Sequence, residues 1–147
     1  MLEAGGNALD AAVATAFALS VTQPFSAGLG GGAVVLIRGA DGKVAAIDAR
    51  ERAPAAADRD LDVRPEVPQD ASLQGALAVA PPGVVRGKAL ALEPHGTSPQ
   101  ARVLEPANRR AEGGFGNGSY PGRVHTHMRR ARLPPRKPET FMILFPP

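Results

Sequence analysis

The run Gly28-Leu29-Gly30-Gly31-Gly32 limits what this chain can fold into more than any other stretch. Glycine inside a helix or strand costs about 0.5–1 kcal/mol relative to alanine, so regular structure has to stop there. Ahead of the run, Asn7 to Val21 reads as a helix. Asn7 is a good N-cap, Asp10 suits the positive end of the helix dipole, and Leu9, Val13, Ala16, Phe17 and Ser20 keep helical spacing. The other faces are mostly alanine, so the helix is apolar nearly all round and is expected to be buried. Pro24 stops it. Behind the run, Ala33 to Arg38 is a continuously apolar strand, expected to be covered on both faces. The Gly39-Ala40-Asp41-Gly42 turn then returns the chain through Val44 to Asp48 as a hairpin.

Beyond the hairpin, Arg52 to Gly75 is polar and broken by Pro54, Pro65 and Pro68, and reads as a long loop. Leu77-Ala78-Val79 is expected to form a short strand. A helix from Val84 to about Glu93 is closed by Pro94 and Gly96. Thr97-Ser98-Pro99 starts another, running to about Ala111, with proline acceptable in the first turn. From Gly113 the periodicity fades. The expected organisation is one domain over residues 1–112 and a poorly ordered basic tail over 113–147.

Charge divides the same way. Residues 1–74 carry a net charge of −4 and residues 75–147 a net charge of +7, most of the basic excess lying between Arg123 and Lys137. That tail could meet an anionic partner, but Tyr120 and Phe141 are its only nearby aromatics. No stacking platform for nucleic acid is apparent, and none is expected to bind. With no cysteine there is no disulfide, thiolate metal site or cysteine nucleophile, and the compartment stays open. No run approaches the ~18 apolar residues of a membrane span. The start Met1-Leu2-Glu3-Ala4 lacks a basic n-region, so no signal peptide is expected.

Two features carry chemistry. The glycine run lets backbone approach a ligand, or it is merely a tight helix-to-strand connection. It is no phosphate loop, since no Gly-Lys-Ser/Thr follows and a strand comes next instead of a helix. Arg50, in Ile47-Asp48-Ala49-Arg50-Glu51-Arg52-Ala53-Pro54, sits where the second strand ends. A guanidinium there can hold a carboxylate through two parallel hydrogen bonds, or it can be a surface arginine paired with Asp48 or Glu51. His125 and His127 are two residues apart and would not share a helix face. With His95 they make no metal set, so neither metal nor cofactor is expected.

Three longer words, in order, resemble the large subunit of the gamma-glutamyltranspeptidase (glutathione hydrolase) family. They are Leu2-Glu3-Ala4-Gly5-Gly6-Asn7-Ala8-Leu9-Asp10, the Gly28 to Gly32 run, and Ile47 to Ala55. Weaker matches follow in Pro82-Gly83-Val84-Val85, His95-Gly96-Thr97-Ser98-Pro99 and Val103-Leu104-Glu105-Pro106-Ala107. The resemblance implies an α/β class fold. This is part of the αββα layers of an N-terminal-nucleophile hydrolase, built as a helix, then a β-hairpin, then helices. It also implies a zymogen that cuts itself before a threonine, whose hydroxyl and free amine then carry the gamma-glutamyl group of glutathione to water or an amino acid.

By the same resemblance Arg50 binds the substrate's alpha-carboxylate. Glu51, Gly30, Gly31 and Gly32 support it, and Ala49 stands where the family often has an aromatic residue. None of Thr15, Thr22, Thr97, Thr126 or Thr140 has the family's processing context, so no catalytic residue is assigned. The expectation is a fragment of such a precursor, inactive alone, whose partner is the small subunit of the same precursor. Periplasmic or secreted location is implied by the family only. A related amidohydrolase or acylase on the same scaffold, and a non-catalytic basic binding fragment, are the alternatives.

Overall fold

The computed structural model describes residues 1–116, and Met1 to Gly114 form one compact unit. Residues 117–147, with the basic stretch, His125 and His127, lie outside the described residues.

Helix α1 spans Ala8–Thr22. Its start is closed reciprocally: Asn7 Oδ1 accepts the Asp10 N–H at 2.9 Å, and Asp10 Oδ2 accepts the Asn7 N–H at 3.0 Å. Such a box contributes about 1 kcal/mol. Pro24 ends the helix as expected and opens a single further turn, α2 (Pro24–Ala27), where its missing N–H costs nothing. Strands β1 (Ala33–Arg38) and β2 (Val44–Ala49) pair antiparallel, from Ala33 opposite Ala49 to Arg38 opposite Val44. Gly42 makes the turn with φ +81°. Helices α3 (Val84–His95) and α4 (Gln100–Gly113) complete the unit. The core joins Val13, Ala14 and Phe17 of α1 to Leu92 of α3 and Val103 and Ala107 of α4, with Val103 wholly buried.

Four expectations differ from the structure. First, α1 buries a stripe (Asp10, Val13, Ala14, Phe17, Ser20) instead of most of its circumference, and Leu19 stays exposed. Alanine faces cost little when left in water, so an all-round apolar helix need not be enclosed. Second, among the described residues the hairpin is covered on one face only. Val35, Ile37, Ala45 and Ile47 are half-buried on the side of α3, while Val34 and Leu36 on the other side are 68% and 72% exposed. Third, Leu77-Ala78-Val79 is no strand; a 3-10 turn occupies Ala76–Ala78.

Fourth, α4 does not start at Thr97-Ser98-Pro99 but at Gln100. That helix begins after Pro99 with no side-chain cap, because Thr97 is bound elsewhere. The Thr97 hydroxyl donates to Asp10 Oδ2 at 2.6 Å, and its N–H donates to Asp10 Oδ1 at 3.1 Å. Asn7 Nδ2 donates to the His95 carbonyl at 2.7 Å. The start of α1 is thereby fastened to the α3–α4 connection, around ninety residues away in sequence. The fully buried Asp10 carboxyl has its pKa at about 2. Burial alone would raise it, but the Thr97 hydroxyl, the Asn7 and Thr97 N–H groups and Ser98 together outweigh burial.

Candidate functional site

The end of β2 is held by close backbone packing. Ala49 is buried against α3 at Gly83 and Gly87, and a Cβ at either glycine would run into Ala49. The small residue at 49 and the two glycines therefore belong together: they let the first turn of α3 rest on the strand end. Two backbone hydrogen bonds fix the neighbours. The Arg52 N–H donates to the Pro81 carbonyl at 3.4 Å, and the Val84 N–H donates to the Gly31 carbonyl at 3.0 Å. The glycine run, the exit of β2 and the start of α3 are thus tied into one corner.

Glu51 lies against the glycines. A Cβ on Gly32 would sit 2.5 Å from Glu51 Oε2 and 2.8 Å from the Arg50 Cα, so only glycine fits without movement. The Glu51 carboxyl is held below its ordinary pKa. Its own backbone N–H contributes most; burial works against this, and the Gly32 N–H and the Arg50 charge add to it. Gly30, Gly31, Gly32 and Glu51 share an open hollow of about 600 Å³ with Phe25 and Lys88.

Arg50 faces the other way. Its Nε lies 3.3 Å from Glu51 Oε2, its backbone N–H donates to Asp48 Oδ1 at 3.0 Å, and its side chain is 71% exposed. It lines a second hollow, of about 550 Å³, with Asp48, Arg52 and Arg86. The structure therefore separates the expected site residues into two neighbouring hollows, with the Arg50–Glu51 ion pair between them. Glu51 lies 3.3 Å from Nε on one side, and the exposed Arg50 side chain lines the hollow on the other. An exposed guanidinium with one carboxylate beside it can still receive a carboxylate from outside.

Two residues of this corner were not singled out from the sequence. Lys88 is 6% exposed, with its Nζ 4.2 Å from the centre of the Phe17 ring and no carboxylate partner among the described residues. Burial lowers its pKa. Arg86 joins the Arg50 hollow from the first turn of α3, and nothing in linear spacing links positions 50 and 86. Among the described residues no His, Cys, Asp or Glu group could hold a metal ion, and no helix is long and apolar enough to cross a membrane.

Comparison with known proteins bears on the whole described unit. The glutathione hydrolase proenzyme of Escherichia coli K12 is 48% identical over 117 residues, which is 78% of this chain and 20% of that protein. The acylase ACY 1 proenzyme of Pseudomonas sp. strain V22 is 42% identical over 123 residues, 78% of this chain and 22% of its own length. The crystal structure of Helicobacter pylori gamma-glutamyltranspeptidase superposes with a TM-score of 0.82 at 36% identity, covering 88% of this chain and 38% of that one. The chain thus spans about a fifth of the length of the curated relatives it matches. Its helix-and-hairpin unit is part of the N-terminal-nucleophile hydrolase fold those structures share. The gamma-glutamyltranspeptidase pattern matches residues 1–146, and the chain belongs to the gamma-glutamyltranspeptidase family.

Proposed function

We propose that this chain supplies the carboxylate-gripping wall of an enzyme that moves the gamma-glutamyl group of glutathione to water or an amino acid. The nucleophilic threonine comes from the small subunit of the same precursor. The observation that carries the reading is the state of Arg50: 71% exposed at a strand end, with Nε 3.3 Å from Glu51 and its side chain lining a hollow. A planar guanidinium so oriented takes the alpha-carboxylate of a gamma-glutamyl compound through two parallel bonds. Binding on this wall positions the substrate amide for the threonine hydroxyl, which the threonine's own amine activates.

The role of Gly30, Gly31 and Gly32 is indirect in this reading. They admit the Glu51 carboxylate, and Glu51 orients Arg50. The relatives are proenzymes, which agrees with a second subunit cut from the same chain. The acylase relative keeps a second amide substrate class in view, and a substrate panel separates the two.

The test is a chimera in which residues 1–116 replace the matched stretch of the Escherichia coli glutathione hydrolase proenzyme. The chimera is expected to cleave itself and hydrolyse a gamma-glutamyl anilide. Arg50→Ala should raise KM at least about tenfold, the worth of one charge-assisted bidentate pair, with a smaller change in kcat. An unchanged KM in Arg50→Ala would falsify the carboxylate role.

A further inference from the structure

The hollow in front of Arg50 holds more positive charge than one carboxylate requires. Arg50, Arg52 and Arg86 all line it, and all three are exposed. One acid, Asp48, lies among them, and its Oδ1 already accepts the Arg50 N–H. Neither Arg52 nor Arg86 has a carboxylate partner among the described residues. This gathering is built by the backbone: Arg50 and Arg52 flank Glu51 on a segment pinned to Pro81, and Arg86 is brought over it because Gly83 and Gly87 let α3 close on Ala49. Leu90 adds an apolar patch to the wall.

Two guanidinium groups without carboxylate partners among the described residues, on the same wall as the one that grips the glutamyl end, raise the local positive potential, which favours an anion. We infer that Arg52 and Arg86 form a second carboxylate subsite, selecting gamma-glutamyl compounds whose leaving group carries a free carboxylate at its far end. The ligand class is a gamma-glutamyl peptide with a free C-terminus, as opposed to a gamma-glutamyl amide or anilide with none. This rests on the reading of Arg50 above, whose own test is the chimera.

The experiment is a titration of the full 147-residue chain with glutathione and with glutathione C-terminal amide, followed by the arginine Nε–H signals in NMR. Glutathione should move the signals of Arg50, Arg52 and Arg86. Arg52→Gln and Arg86→Gln should each weaken glutathione about fivefold, the worth of one exposed charge-assisted pair, and leave the amide unchanged. Arg50→Gln should weaken both ligands. All three positions are exposed, so the variants should keep the wild-type melting curve as a check. If Arg52→Gln and Arg86→Gln weaken both ligands equally, or neither, the second subsite is overturned. If Arg50→Gln changes neither ligand while the other two variants discriminate, the reading of Arg50 falls and the subsite stands. Absence of measurable glutathione binding overturns the subsite and leaves Arg50 to the chimera.

Discussion

Asp10→Asn is the substitution that tests how this unit is held together. The carboxylate is wholly buried and accepts the Asn7 N–H at 3.0 Å, the Thr97 N–H at 3.1 Å and the Thr97 hydroxyl at 2.6 Å. An amide turns one accepting oxygen into a donor that faces donors, so at least one buried hydrogen bond is lost and one is opposed. The magnitude follows from linkage. The carboxyl moves from 3.8 to about 2 on folding. That is a little under two pH units at about 1.36 kcal/mol each, on the order of 2 kcal/mol of stability at neutral pH. Because the folded value is the lower one, this stability is present above pH 3.8 and lost as pH falls through about 2. The assay is urea unfolding by circular dichroism from pH 7 to pH 2, on wild type and variant. The wild type should be more stable by about 2–3 kcal/mol at pH 7. The gap should close towards pH 2, where protonated Asp10 has also lost an acceptor. Comparing the two chains cancels the other titrating carboxylates. A gap that stays constant over the acid range would refute the argument, since the stabilisation would not then come from the ionised carboxylate.

Two further substitutions probe the corner that carries the site. Gly32→Ala should cost about 1–3 kcal/mol in urea unfolding, because the added Cβ meets the Arg50 Cα at 2.8 Å and backbone cannot swing aside. Gly30→Ala, with nothing within 4 Å, should cost far less, and equal costs would sink the packing argument. Lys88→Met should raise stability at pH 7 by about 1 kcal/mol after loss of the Phe17 ring contact, since a buried ammonium without a carboxylate is replaced by an apolar chain of similar length. Its folded pKa lies below 10.5, so the wild type should regain ground as pH rises towards that value, and a variant less stable than wild type at pH 7 would contradict this.

The local elements were legible because their signals are local. Asn7 and Asp10 announce a helix start by spacing alone, and α1 begins where they say. The apolar run and the Asp41-Gly42 turn set both strands and their register. What was not legible depends on partners far along the chain. Thr97, with Ser98 and Pro99, reads as the start of a helix. Its hydroxyl goes instead to Asp10, because a buried carboxylate gains more from a donor than an exposed helix end does. The continuous apolar strand misled for a related reason. Its outward Val34 and Leu36 are apolar, yet no described element covers them, and periodicity cannot say which element will.

The same distinction applies to the site. Arg50 and Glu51 stand side by side in one word, and the ion pair between them needs only the strand end. Arg86 reaches that hollow only because residues 49, 83 and 87 are small enough for α3 to approach β2. A side chain at 83 or 87 would meet Ala49, lift the helix and carry Arg86 away from Arg50 without altering any charge in the sequence. The positive character of the hollow is therefore a consequence of packing. In the proposed subsite, the small residues at these positions would set which anions the arginines reach together, although none of the three can touch a ligand through charge of its own.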